Sequence, residues 1–467
     1  MKTENIEDIY ELSPVQQGIL FHSLYAPELG LYFIQFSYTV RGHFNVVAFD
    51  RAWQQVAARH TILRTSFYWE EIDKPLQVVH RQVKVPLEQH DWRGVDPVEQ
   101  DKRIKSFLVS DRSSGFDFSQ APLMRLTAIR LADNFYQIVW SKHHLILDGW
   151  SAPLVIEEVF QLYEALCQGQ NVSLAPCRPF RDYIAWLRKQ DLSKAEVFWR
   201  QAISGVQAPT PLTNLEVEKL SSQEERYDEQ QIKLSAATTA ALQSLAKQHQ
   251  LTLNTLFQGS WAVLLSRYSC ENQVVYGCGV SGRPVDLVGV ETMLGVFINT
   301  LPVCVKLEPE QFLLVWLRQL QAQQVEMRQY EYSPLVEIQG WSEVPRSMPL
   351  FESIVVFENY PAARVVQNRE EALEILKFTS FYKTNYPLNV IGYPGSELVI
   401  GINYDCHRFD AATVTSILRH FEILLQGIVT NPEVRLKDLT LLTEREQHTV
   451  LMLEKEVSFD FNFAACH

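Results

Sequence analysis

Apolar residues recur every three to four positions in some stretches of the chain and at alternate positions in others, and the two spacings predict different elements. Val47 to His60 carries a one-sided apolar stripe and predicts an amphipathic helix, as do Ala236 to His249 and Thr255 to Tyr268. Phe312 to Arg328 predicts a long helix whose glutamines face solvent. Met124 to Leu131 and Phe135 to Ser141 are rich in aromatic and β-branched residues and flank Asp133-Asn134, the pattern of a hairpin. Gln273 to Cys278 predicts a further strand, and the polar run Leu212 to Gln231, with Ser221-Ser222-Gln223-Glu224-Glu225, predicts an exposed excursion. Helix and strand candidates occur in both halves of the chain in different order, so two related halves are suspected.

The hairpin leads into Ser-Lys-His-His-Leu-Ile-Leu-Asp-Gly-Trp-Ser, from Ser141 to Ser151. Adjacent histidines followed at this spacing by Asp148-Gly149 arise by chance in roughly one chain in a thousand of this length, so the run is specific. Side chains alternate across a strand, so only one of His143 and His144 can face a given cavity, and alternation does not say which. Ser151-Ala152-Pro153 predicts a helix start with Ser151 as N-cap, followed by an apolar stripe of Leu154, Ile156, Val159, Phe160, Tyr163 and Leu166 up to Gly169. A potential base, backbone N–H donors and a positive helix end then lie close together, which suits chemistry that develops negative charge on oxygen, acyl transfer above all. The competing readings are a structural His-His-Asp cluster and a metal site. No Cys, Glu or further His stands nearby at a ligand spacing, so no metal is expected.

Length and charge narrow the field. The 467 residues, 46% of them hydrophobic, are enough for two to three lobes. A net charge of -13 without a basic stretch excludes a nucleic-acid role. Seven scattered cysteines form no disulfide framework, the N-terminus has no apolar signal core, and no apolar run is long enough to span a membrane. A cytosolic protein is expected.

Several separated segments together resemble one family, the condensation domains of non-ribosomal peptide synthetases. Leu12-Ser13-Pro14-Val15-Gln16-Gln17-Gly18-Ile19-Leu20-Phe21-His22 resembles the family's opening motif, Arg59-His60-Thr61-Ile62-Leu63-Arg64-Thr65-Ser66-Phe67 its second, and the His-His run its third. Asp182 with Tyr183 to Trp186 resembles the fourth, and Gly295-Val296-Phe297-Ile298-Asn299-Thr300 the fifth. Pro349-Leu350-Phe351 near Arg346 is a worn version of the last, without the usual Arg-Asn before its Pro, and no function is carried onto it.

The resemblance implies an α/β (α+β) fold of two chloramphenicol-acetyltransferase-like lobes in a V-shaped pseudo-dimer, with the active site at their junction. The expected boundaries are 1–175 for the N-terminal lobe, 176–453 for the C-terminal lobe and 454–467 for a linker toward an adenylation domain. The chain thus reads as one domain of a larger synthetase, beginning its polypeptide or cut at Met1, and as a monomer when excised. His144 is implied as the residue near the reacting amine and thioester, within a catalytic set that also holds His143, Asp148 and Gly149. Asp148 is expected to hold the loop through a salt bridge to Arg283, since a carboxylate fixed by a guanidinium is a good strut and a poor base. Buried supporting roles are implied for Arg59 and Arg64; Trp199, Asn299 and Ser151 are candidates for the substrate channel, with core packing the competing reading for Trp199 and a structural strand-end role the competing one for Asn299.

The implied reaction joins an upstream acyl or peptidyl thioester to the amine of a downstream aminoacyl thioester. Both ride on 4′-phosphopantetheine arms of partner carrier domains entering from opposite faces, with no cofactor bound by the domain itself. His143 argues against the heterocyclising relatives, which carry Asp there. The epimerising relatives, a coenzyme A acyltransferase and a degenerate carrier-recruiting module are the alternatives. The opening motif is more similar to domains that follow an epimerising module, which implies a D-configured donor and an L acceptor.

Overall fold

The hairpin forms where the turn signal places it, Met124–Ala132 pairing antiparallel with Phe135–His143. The second strand runs two residues past Ser141, so Lys142 and His143 belong to the sheet. In the computed structural model, which describes residues 3–212, 227–358, 373–442 and 446, this hairpin sits inside a five-stranded sheet. Its order is Leu373–Tyr382, Phe33–Gly42, Phe135–His143, Met124–Ala132 and Leu87–Asp91, antiparallel except for the last pair. A small sheet of Ile6–Glu11, Leu76–His80 and Thr65–Tyr68 accompanies it. The predicted amphipathic helix is present as Val46–Arg59, capped by the Asn45 side chain, and buries Phe49, Trp53 and Val56 against the same core as Trp140.

These elements make one unit, Met1–Asp191 with Ser281–Asn299 and Tyr360–Asn385. The other comprises Leu192–Val280, Thr300–Asn359 and Tyr386–His467. A single cut at 175 is therefore corrected, and the reasons are local. The helix Arg181–Leu187 stays with the first unit because Phe180 and Tyr183 pack on Phe297, with ring centroids 5.3 and 4.6 Å apart. Leu373–Tyr382 joins it by pairing along its whole length with Phe33–Gly42.

The second unit is built on a six-stranded mixed sheet in the order Asn299–Lys306, Gln273–Val280, Ser353–Phe357, Leu388–Tyr393, Val399–Asp405 and Tyr227–Lys233. The predicted helices appear as Ala236–Gln248, Leu253–Ser269 and Leu313–Met327, the first two opened by the side chains of Ser235 and Thr252. Tyr227–Lys233 is an edge strand where an exposed excursion was expected; Tyr227 is buried, Glu229, Gln230 and Ile232 are half-buried, and Asp228, Gln231 and Lys233 are exposed. The rest of that excursion, 213–226, and the expected linker 454–467 lie outside the described residues. Among the described residues no helix is long and apolar enough to cross a membrane.

Candidate functional site

The two histidines part company at the end of the strand. His143 is its last residue, paired with Phe33, and its ring is buried against Phe118, centroids 4.7 Å apart. Its Nδ1 accepts from the backbone N–H of Leu145 at 3.3 Å, and Nε2 lies 3.4 Å from Ser23 Oγ. Burial, with the neighbouring His144 and Lys142, pushes this imidazole down to about 3. A ring held at both nitrogens inside the core is placed as a packing element is.

His144 begins the turn that follows. Its N–H donates to the carbonyl of Tyr32 at 2.9 Å, and the Tyr32 ring stands edge-on to the imidazole at 6.2 Å. The side chain is half-buried, and its Nδ1, shielded from water, has no hydrogen-bond partner among the described residues. Burial and the charge of Lys142 push the imidazole down to about 4, against the pull of its own backbone and of Asp148. The resting ring is therefore neutral above about pH 5 and able to accept a proton or a hydrogen bond.

Asp148 is saturated by the main chain. Its Oδ1 accepts from Ser151 N–H at 2.8 Å, and Oδ2 from Phe297 and Ile298 N–H at 3.0 and 3.4 Å. The Arg283 guanidinium stands 3.7 Å from Oδ1, with both side chains nearly inaccessible. Arg283 also donates to the carbonyls of Val290 and Met293 and to Ser151 Oγ, and lies 4.0 Å from the Phe297 ring centroid. Gly282, at φ 60°, precedes it where any side chain would run into the Phe297 carbonyl. A carboxylate so engaged ties the helix start to the segment 295–298.

Two expectations about the helix start are corrected here. The helix is Ser151–Cys167, and Ser151 is inside it, not its N-cap. Its first N–H is taken by Asp148, so that donor is not open to a substrate oxyanion. Ser151 is fully buried, and its Oγ donates to Gly295 O at 3.0 Å and accepts from Gly295 N–H at 3.1 Å.

Trp199 is fully buried in the second unit's core, its indole N–H on Ser333 Oγ at 2.9 Å. Asn299 is buried at the start of its strand. Gly149 is half-buried in the turn between Asp148 and the helix. Arg64 is buried, donating to Ala57 O at 3.2 Å and Glu7 Oε2 at 2.7 Å, whereas Arg59 is half-buried and pairs with Glu158 at 3.3 Å.

Two features escaped the sequence reading. The Tyr32 hydroxyl donates to Asn385 Oδ1 at 2.6 Å, and Asn385 Nδ2 lies 3.3 Å from His22 Nε2, so a polar relay flanks the His144 ring. Tyr32 sits at φ 63°, a position no pattern announces. The other feature is Lys142. It shares its strand face with Ile138 and Trp140, is fully buried, and donates from Nζ to Leu147 O at 3.1 Å across the loop that carries His144. A lysine in register with two core residues was a readable signal.

Burial pushes the Lys142 ammonium down to about 7, with Asp148 opposing. The unfolded value of ~10.4 is higher, so the folded state disfavours the charge; the penalty is full below about pH 7 and fades as pH rises toward ~10. Lys142→Met is expected to raise the thermal midpoint at pH 7, with the advantage vanishing by about pH 10. A lower midpoint at pH 7, measured by calorimetry, would show that the Leu147 hydrogen bond outweighs the buried charge.

The family model described as Condensation domain matches residues 6–451. The chain is a condensation domain. Two of its relatives are linear gramicidin synthase proteins of Brevibacillus parabrevis. One is 44% identical over 465 residues, an alignment that covers 100% of this chain and 6% of that protein. Another is 45% identical over 456 residues, covering 96% of this chain and 9% of that protein. This condensation domain thus spans under a tenth of those relatives' length. The solved first condensation domain of the calcium-dependent antibiotic synthetase, in complex with substrate analogue 3a, superposes with a TM-score of 0.78 at 15% identity, covering 94% of this chain and 100% of that one. The two-lobed α/β fold of condensation domains is thereby shown.

Proposed function

We propose that this condensation domain joins an acyl or peptidyl thioester to the amine of an aminoacyl thioester, each delivered on the phosphopantetheine arm of a carrier domain, with His144 meeting the reacting nitrogen. Amide-bond formation is the chemistry of the family to which the chain belongs. The observation that carries the residue assignment is the contrast between the histidines: His143 is held at both nitrogens, while His144 is half-buried, neutral and, among the described residues, unpartnered at Nδ1. Asp148, Gly149, Arg283 and Arg64 serve by shaping the loop and its surroundings. Asn299 and the Tyr32–Asn385–His22 relay are candidate contacts for the reactants.

The step balances without a covalent enzyme intermediate. The amine nitrogen attacks the thioester carbon, the carbonyl oxygen takes the negative charge, and collapse expels the donor thiolate and leaves an amide. An imidazole at about 4 is too weak to strip a free ammonium at ~8, so the amine must arrive neutral. Once the C–N bond forms, the nitrogen becomes cationic and far more acidic, and a neutral His144 is then a competent acceptor. Holding two tethered reactants together supplies much of the remaining rate.

The six described cysteines are free thiols, which supports a reducing, cytoplasmic setting for a synthetase carrying further adenylation and carrier domains. The opening motif supports a D-configured donor. The decisive experiment loads donor and acceptor carriers separately, mixes them with the chain and reads intact mass. The expected result is a condensed product on the acceptor carrier, faster with a D than an L donor residue. Equal transfer from free acyl-coenzyme A would overturn the carrier reading, and epimerised donor without condensation would mark an epimerising relative.

A further inference from the structure

On the far end of the Val46–Arg59 helix from its cap, a second set of reactive side chains meets, separate from His144. His60 follows the helix and is buried. Its Nε2 lies 2.6 Å from Glu158 Oε2, and its Nδ1 lies 3.5 Å from Cys177 Sγ. Glu158 comes from the Ser151–Cys167 helix and is steadied by Arg59 Nε at 3.3 Å; Cys177 comes from the segment leading into Arg181–Leu187 and is half-buried. Three elements thus bring a carboxylate, an imidazole and a thiol into line. With Nε2–H donating to the Glu158 carboxylate, Nδ1 is left facing sulfur as an acceptor.

We propose that Cys177 is a reactive thiolate, activated by His60 and Glu158, that exchanges with small disulfides. The linear order is that of an activated nucleophile and its oriented base. Among the described residues no group of three His, Cys, Asp or Glu is placed to hold a metal, so the cluster is not a ligand set. The hydrogen bond to His60 pulls the thiol down, against burial, with the Arg59 charge assisting. Burial works against protonating His60, but Cys177 and Glu158 together raise it. Proton transfer from sulfur to Nδ1 leaves a thiolate beside an imidazolium, whose charge Glu158 offsets.

The exchange needs no other reagent. The Cys177 thiolate attacks one sulfur of the disulfide, the S–S bond of the reagent breaks, a mixed disulfide forms on Cys177, and the second sulfur leaves as a thiolate that takes up a proton. The adduct would sit where Arg59 donates to the Ala175 carbonyl, and would part that segment from the helix end.

The test treats the reduced chain with dithiobis(nitrobenzoate) between about pH 6 and 9 and follows each cysteine by peptide mass mapping. Exposed Cys270, which has no imidazole partner among the described contacts, is the internal reference. At about pH 6.5 Cys177 is expected to react about tenfold faster than Cys270, as a thiolate-rich site does against an ordinary thiol. His60→Gln, checked for folding by its melting curve, should bring the ratio to about one. Glu158→Gln, which leaves the imidazole in place without its charge partner, should lower it severalfold and decides the matter should the first variant not fold. Equal rates at Cys177 and Cys270 in the unaltered chain, or undiminished reactivity in both variants, would overturn the proposal.

Discussion

Replacing His144 by alanine is expected to lower amide formation on loaded carriers by about a hundredfold or more, the range for a positioned proton acceptor, with the melting curve retained. The second half of that expectation comes from the geometry. Among the described residues the imidazole makes no hydrogen bond through Nδ1, and its backbone N–H to Tyr32 O survives the substitution. Removing it therefore deletes a chemical group and leaves the turn intact. Intact-mass assays of product, beside a melting curve, separate the two effects. A folded variant that turns over near the wild-type rate would take His144 out of the chemistry.

Asp148→Ala is expected to fail differently, losing both activity and stability. The substitution leaves three backbone N–H groups without their acceptor and the Arg283 guanidinium without its carboxylate counter-charge. Breaking a buried pair by removing one partner costs roughly 3–5 kcal/mol, so the melting temperature should fall clearly. The helix start and the segment 295–298 would come apart, and His144 would lose its frame. Asp148→Asn, which keeps one oxygen as acceptor but turns an NH2 toward a donor, should fall between. An inactive alanine variant with unchanged thermal stability would instead assign the carboxylate a direct chemical part.

The local part of this site was legible and the long-range part was not. Periodicity placed the hairpin and the Val46–Arg59 helix within a few residues, because each buries a face whose spacing is written in the chain. The family motifs suggested Asp148 and Arg283 as partners, and the structure sets them 3.7 Å apart. What no pattern carries is the use of main-chain groups across sequence distance. Gly295, Phe297 and Ile298 meet Ser151 and Asp148 through backbone atoms, which leave no mark in residue identity. Ser151 looked like an N-cap because serine favours that place, yet tertiary contact with Gly295 claimed its hydroxyl. Trp199 could not be assigned to wall or core from its type alone, and Ser333, remote in sequence, decided for the core.

The discontinuity of the first unit bears on how the protein comes off the ribosome. Phe33–Gly42 gains its outer neighbour only when Leu373–Tyr382 has been made, and Asp148 gains Arg283 and Phe297 N–H only once synthesis has passed residue 297. Until then the nascent chain carries an uncovered strand edge and a carboxylate without its partners, the kind of exposed template that invites mispairing. A fragment ending near residue 191 would keep that defect permanently. Shortened versions that stop before 385 should accumulate as aggregates, and slow elongation through the middle of the message should lengthen the time the chain depends on chaperones.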